Sequence, residues 1–312
     1  MKKVISVLLI LVILLLPTGC SKNENTVNRI LFDTAVTLTA QCSEDILLDA
    51  IKLCEYYDNL LSRTKEGSDV WRINNTAGLV QVDPDTVGII LTALKYCEKT
   101  QGKYDITVTP ISSLWDFNNG VVPDAQRLYA ALQKVDYKKI EVVGNTVNAH
   151  GTQLDLGSAA KGFIADKLRE FFEERGVEEA IINLGGNVYV MGEEYSSIGV
   201  RSPFDDGISG VIKMNNTSAV TSGIYQRCFE KQGRLYHHIL NPKTGYSLDT
   251  DLASVTVVGE SSLACDILST ACMVSGSVGA EKLLKGAKLG GVLILRDGSI
   301  KSVGNIEFSP NK

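Results

Sequence analysis

The residues best able to do chemistry fall in three separated stretches. In Leu154-Asp155-Leu156-Gly157-Ser158-Ala159-Ala160-Lys161-Gly162-Phe163, running on to Asp166, a carboxylate precedes a run of small residues and a cation follows it. A turn of Gly and Ser lets a ligand approach the backbone, and free N–H groups at a helix start favour an anion. The stretch therefore suits a phosphate-bearing ligand, or it is an ordinary strand-to-helix connection with a surface lysine. Residues 263–273 read as a buried helix in which Asp266 and Thr270 lie four apart on one face. A carboxylate in an apolar helix is costly unless it is paired or bound to a cation. Carboxylate, hydroxyl and a backbone carbonyl are hard oxygen donors suited to Mg²⁺; the competing reading is Asp266 hydrogen-bonded to Thr270. In Tyr236-His237-His238-Ile239-Leu240-Asn241-Pro242-Lys243-Thr244-Gly245 the two histidines would point to opposite faces of a strand, a poor metal pair. The tight Asn-Pro-Lys-Thr-Gly turn would hold His238 beside whatever the strand end touches.

The elements that must position these residues alternate irregularly. A strand is expected over 31–40, a helix with an apolar stripe over 44–61, and a short helix capped by Ser68 or Asp69. A second long helix covers 84–100, and Lys103 to Thr107 is either a strand start or the edge of a site for a planar ligand. An amphipathic helix over 124–134 precedes a hairpin pairing 140–148 with 152–156. The central stretch is read as a short strand feeding a helix that stops at Gly176. Gly185-Gly186, inside an apolar strand over 180–188, indicates a bulge or a close backbone approach. Further strands over 197–202, 211–214, 218–221 and 252–258, a helix over 278–286 and a terminal hairpin around Asp297-Gly298 complete the chain. Hairpins are as frequent as helical crossovers, which gives an α+β fold with mixed, largely antiparallel sheets and flanking helices.

The chain of 312 residues carries a net charge of −5 with no basic patch, which argues against a nucleic-acid partner. Residues 1–20 read as a secretory signal: Lys2 and Lys3, an apolar run, then Pro17-Thr18-Gly19-Cys20. Gly19-Cys20 is similar to a bacterial lipobox, so Cys20 is a candidate for lipidation, palmitate included, although Pro17 stands where leucine is usual; a plain cleaved signal or an uncleaved anchor is the alternative. Lipidation would place the protein on the extracytoplasmic face of the cell membrane, held by an N-terminal lipid anchor. Residues 21–28 suit a flexible tether, and 29–312 suffice for one large domain. The other six of the seven cysteines show no CxxC pair and read as buried thiols, with one disulfide as the alternative.

These stretches together resemble the ApbE family of FAD:protein FMN transferases. The resemblance runs from Phe32 to the end and rests on Ser62, Ser68-Asp69-Val70-Trp71-Arg72-Ile73-Asn74, Gly102-Lys103-Tyr104-Asp105-Ile106-Thr107, Trp115-Asp116-Phe117, the central stretch, Asn183-Leu184-Gly185-Gly186-Asn187, Thr221-Ser222-Gly223, the His238 turn, and Asp266 with Thr270. It implies an ApbE-type, T-fold-like arrangement and Mg²⁺-dependent splitting of FAD, with FMN passing to a threonine of an acceptor protein's FMN-binding domain and AMP released. The same resemblance gives Asp266 and Thr270 as metal ligands with a backbone oxygen near Ser158, and Phe32, Tyr104, Asp105, Ile106, Asp155, Lys161 and Leu240 as the lining of the FAD site. The base that takes the acceptor proton would be His238 or Asp155. Thr64 stands where the family often has an aromatic, a role Trp71 could take over, and Phe32-Asp33-Thr34 replaces Met-Gly-Thr. Two other activities fit the same residues: an Mg²⁺-dependent FAD pyrophosphatase yielding FMN and AMP, and a flavin-binding lipoprotein without turnover.

Overall fold

A computed structural model of the chain describes residues 24–311; the signal, Cys20 and the start of the expected tether lie outside them. The elements run β1 (Asn25–Leu31), β2 (Thr34–Ala40), α1 (Glu44–Leu61), α2 (Asp69–Asn75), β3 (Val80–Gln81), α3 (Pro84–Lys99), α4 (Thr109–Ser112), α5 (Ala125–Leu132), β4 (Glu141–Val143), β5 (Thr146–Asn148) and α6 (Ala160–Glu174). They continue with β6 (Ala180–Leu184), β7 (Asn187–Met191), β8 (Ser196–Arg201), β9 (Ile208–Met214), β10 (Thr217–Gly223), β11 (Cys228–Lys231), β12 (Arg234–His237), β13 (Leu252–Gly259), α7 (Ser262–Ala287), β14 (Gly290–Leu295), β15 (Ile300–Val303) and β16 (Glu307–Pro310). The fold is α+β, as expected.

Eight strands form the main sheet in the order β1-β2-β6-β7-β10-β13-β14-β15, and every neighbouring pair is antiparallel. The sheet is covered on both faces, so β13 and β14 are buried at nearly every position instead of alternating. Helices α1, α6 and α7 cover one face, where Leu38, Ile182, Val255, Val257 and Leu293 pack. A second sheet, β16-β9-β8, covers the other, where Val190, Val292 and Ile294 meet Val200 and Ile212. Helix α7 has the length and apolar composition of a membrane span, yet its backbone breaks at Gly276 (φ 68°), between the two helices expected over 263–273 and 278–286, and it lies against β10 and β13 with Ile267, Leu268 and Cys272 in the core.

Four local expectations are corrected. Residues 25–28, assigned to a tether, belong to β1 and pair with β2 through Asn25↔Ala40 to Asn28↔Thr37. The strand expected over 31–40 is the turn and second strand of that hairpin, with Phe32 and Asp33 both at positive φ (55° and 57°). The 152–156 segment joins no strand. Asn74 takes both backbone groups of Leu154, at 2.6 and 2.9 Å, and Thr109 donates to the same carbonyl, so side chains satisfy what a ladder would have satisfied. Gly185-Gly186, finally, is the β6–β7 hairpin turn, with φ of 68° and 95°; a Cβ on Gly185 would lie 2.0 Å from the Thr34 hydroxyl, so the close approach is real and the bulge is not. The six cysteines after Cys20 are free thiols.

Candidate active site

Where the helical layer meets the β1–β2 and β11–β12 hairpins, a cleft of about 1020 Å³ opens at one end of the sheet. Its walls bring together residues from the whole chain: Phe32, Arg63, Tyr104, Asp155, Ser158, Lys161, Ser222, His238, Leu240, Asp266 and Thr270. The Phe32 turn forms one lip, and Asp33 beside it faces Arg227 at 3.7 Å from the root of β11–β12.

The floor is built where α6 and α7 begin. Asp155 is fixed by its backbone N–H on the Ile106 carbonyl at 2.7 Å, and its Oδ1 accepts the Gly157 N–H at 2.8 Å, closing the turn through Ser158. The first turn of α6 follows, and the Gly162 N–H donates to Asp266 Oδ2 at 2.8 Å. The anion at this helix start is thus supplied by the protein itself. Asp266 is 4% exposed, and burial raises its carboxyl above the usual carboxylate range against the pull of Lys161 and of that N–H. A phosphate brought into the cleft would meet this carboxylate, and two anions in a desolvated site need a cation between them. Asp266 and Thr270, one turn apart on α7 and both on the cleft wall, are an anionic and a neutral hard oxygen, a donor set that fits Mg²⁺. The alternative pairing of Asp266 with Thr270 is not made: Asp266 takes Gly162, and Thr270 lies 3.3 Å from Ser222.

The two histidines separate as their strand positions imply. His237 is fully buried, its Nε2 3.0 Å from the Leu248 carbonyl and its N–H on Ser247. His238 faces the cleft, anchored by its N–H on the Arg227 carbonyl at 3.0 Å. Burial, with Arg227, His237 and Lys161 nearby, lowers the His238 imidazole to about 4, so it is neutral near pH 7 and able to take a proton. The Asn241 turn forms with Lys243 N–H on the Asn241 side chain and Gly245 N–H on its carbonyl, and Trp115 braces it by donating to the Gly245 carbonyl at 3.0 Å.

Three expectations change. Ile106 is buried and does not line the cleft; its contribution is the carbonyl that fixes Asp155. Asp105 reaches the cleft edge, but its side chain is spent on the Thr107 N–H and hydroxyl and on the Tyr137 N–H, which makes it a loop anchor. Trp71 lies away from the cleft while Thr64 lines it, so the missing aromatic is not replaced from that helix. Tyr104 is buried, its hydroxyl 3.0 Å from Ser158 Oγ. Sequence reasoning missed Arg63, whose Nε lies 3.2 Å from Asp155 Oδ2, and Arg227; the only signal for Arg63 was its place directly after Ser62.

A neutral imidazole, a lysine, and a buried carboxylate with a hydroxyl a turn away, around a cleft large enough for a dinucleotide, define an enzyme of phosphoryl or nucleotidyl transfer. The ApbE family model matches residues 32–293, and the chain belongs to the ApbE family. It is 33% identical over 300 residues to an FAD:protein FMN transferase of Klebsiella pneumoniae, covering 91% of this chain and 93% of that one. A second relative of the same description, from Treponema pallidum, is 32% identical over 257 residues, covering 74% and 71%. The ApbE protein of Thermotoga maritima, known from its crystal structure, superposes with a TM-score of 0.84 at 27% identity, covering 90% of this chain and 97% of its own. The apo flavinyl transferase ApbE of Pseudomonas stutzeri, at 0.81 and 23% identity, shares the fold.

Proposed function

We propose that this enzyme transfers FMN from FAD to a threonine of an acceptor protein, joining them by a phosphoester and releasing AMP. The observation that carries this reading is the buried Asp266 of α7, whose carboxylate meets the start of α6 at Gly162, beside Thr270 on the wall of a dinucleotide-sized cleft. Family membership and the shared description of the relatives support the same reaction. Mg²⁺, held by Asp266, Thr270 and the backbone at Ser158, would supply charge neutralisation at the pyrophosphate. Lys161 faces the same phosphates from the first turn of α6. His238 accepts the proton of the threonine hydroxyl as its oxygen bonds to the flavin-side phosphorus; the bond from that phosphorus to the bridging oxygen breaks, and AMP leaves. Asp155 is the poorer base, because Arg63 and the Gly157 N–H hold its two oxygens; its role is to orient. Phe32, Tyr104 and Leu240 furnish apolar surface for FAD.

The acceptor is an extracytoplasmic redox protein with an FMN-binding domain, and the chain from Asn25 onward, where β1 joins the main sheet, forms the single catalytic domain of an enzyme anchored through lipidated Cys20. Labelled palmitate should enter the full chain and fail to enter a Cys20→Ala variant. For the reaction, the protein lacking residues 1–20 is incubated with FAD, Mg²⁺ and a purified acceptor domain, and the acceptor is weighed. A covalent FMN adduct that disappears with EDTA is the expected result. AMP release with an unmodified acceptor would replace transfer with pyrophosphate hydrolysis.

A further inference from the structure

Behind Thr270 three hydroxyls form a chain whose proton order is fixed by its far end. Ser269 Oγ, fully buried on α7, donates to the Asp266 backbone carbonyl at 2.8 Å, and a carbonyl can only accept. With that proton committed, the 2.7 Å contact between Ser222 and Ser269 must be filled by the Ser222 proton. The longer 3.3 Å contact between Ser222 and Thr270 then takes its proton from Thr270. Each hydroxyl owns one proton, so the direction runs Thr270 to Ser222 to Ser269 to the carbonyl. Thr270 is left with lone pairs, and no proton, toward the cleft.

We infer that Ser222, on β10, is a positioning residue that turns Thr270 into an acceptor-only oxygen and so presents it as a ligand for a divalent cation. The inference rests on the function proposed above and assigns Ser222 and Ser269 a part in it. It also separates two roles for Thr270: a threonine hydroxyl whose proton faced the cleft would donate to a phosphate, whereas this one can only receive a positive charge. Outer partners that orient a ligand commonly change metal affinity by about 10- to 100-fold when removed.

Mn²⁺, observed by electron paramagnetic resonance, serves as the probe for the divalent site in the protein lacking residues 1–20. Ser222→Ala is expected to weaken Mn²⁺ binding by about 10-fold or more, and Ser222→Thr, which keeps the hydroxyl, to restore it. Ser269→Ala frees the Ser222 proton to point at Thr270, and weakens Mn²⁺ although Ser269 does not reach the cleft. In a Thr270→Val background Ser222→Ala should add less than about 2-fold, since residues acting through one another are not additive. FAD affinity without divalent ion, read from flavin fluorescence, should stay unchanged in Ser222→Ala. Should Ser222→Ala not fold, Ser222→Cys, a weak hydrogen-bonding partner of similar shape, carries the same expectation. Wild-type Mn²⁺ affinity in Ser222→Ala, or an equal loss with and without Thr270, overturns the positioning role while leaving the metal reading intact. Failure of the unaltered protein to bind Mn²⁺ overturns both.

Discussion

Asp166 and Asp266 occupy matching positions. Each sits in the second turn of one helix and accepts backbone N–H from the first turn of the other: Asp166 of α6 takes Ser262 and Leu263 at 2.8 and 3.0 Å, and Asp266 of α7 takes Gly162 at 2.8 Å. Both carboxyls are raised by burial. They differ in what else they touch. Asp166 also receives the Ser261 hydroxyl at 3.0 Å, so three donors satisfy it and it braces the start of α7 beside the Ser261 cap. Asp266 has one donor and a cleft. A buried carboxylate saturated by the protein is architecture; the same group left short of donors beside a cavity is free to meet a ligand.

The largest expected break in this pairing is Asp266→Asn. It keeps an oxygen for Gly162 but loses the charge, and with several kcal/mol of charge stabilisation gone the rate of adduct formation, followed by mass spectrometry, should fall about 10³-fold. The denaturation midpoint should hardly move. Gly162→Ala tests the helix contact that both aspartates share. Its Cβ would lie 2.4 Å from the Ser262 carbonyl and 2.7 Å from Asp266 Cβ, so the helices must part at a cost of about 1–3 kcal/mol in urea unfolding, and activity falls because Asp266 moves. Asp166→Ala should lower stability by about 1–2 kcal/mol and leave the turnover of folded protein near normal; a loss of activity as deep as that of Asp266→Asn would erase the distinction.

A further effect is in pH, and the neighbouring histidines set its sign. His237 and His238 are both lowered to about 4 by burial, so the unfolded chain binds protons between about pH 6.5 and 4 that the folded chain refuses. Their stabilisation is full above that window and is lost as pH falls through it. Asp166, with its raised carboxyl, works in the opposite sense: its contribution is present below the usual carboxylate range and is lost as pH rises through the raised value. Urea midpoints measured against pH should therefore show a shallower acid loss in His237→Gln, and a steeper one in Asp166→Ala.

Much of the fold was legible because periodic burial writes itself into the chain. Helix α1 appears over 44–61 as its apolar stripe says, and α3 over 84–99 with Asp83 capping its start. Of the two caps the sequence left open for α2, Ser68 takes the role, accepting the Trp71 N–H at 3.0 Å. The errors fall where side chains replace a ladder, as Asn74 does at Leu154, or where a turn demands left-handed residues other than glycine. Phe32 at φ 55° is such a case, since a bulky residue there violates the local preference that sequence reasoning relies on.

By itself the sequence determined which residues could do chemistry: Asp266 and Thr270 one turn apart, Lys161 in the first turn of a helix, His238 at the end of a strand. Their spacing within single elements is local geometry, and local geometry is encoded locally. Only the tertiary structure decided which partners each group meets across about 100 residues of chain, as when Asp266 reaches Gly162 and Arg63 neutralises Asp155. Those contacts fix which carboxylate is saturated by donors, which is ion-paired and which is left short of donors beside the cleft. They depend on donors from distant segments, and no spacing along one strand or helix can count them.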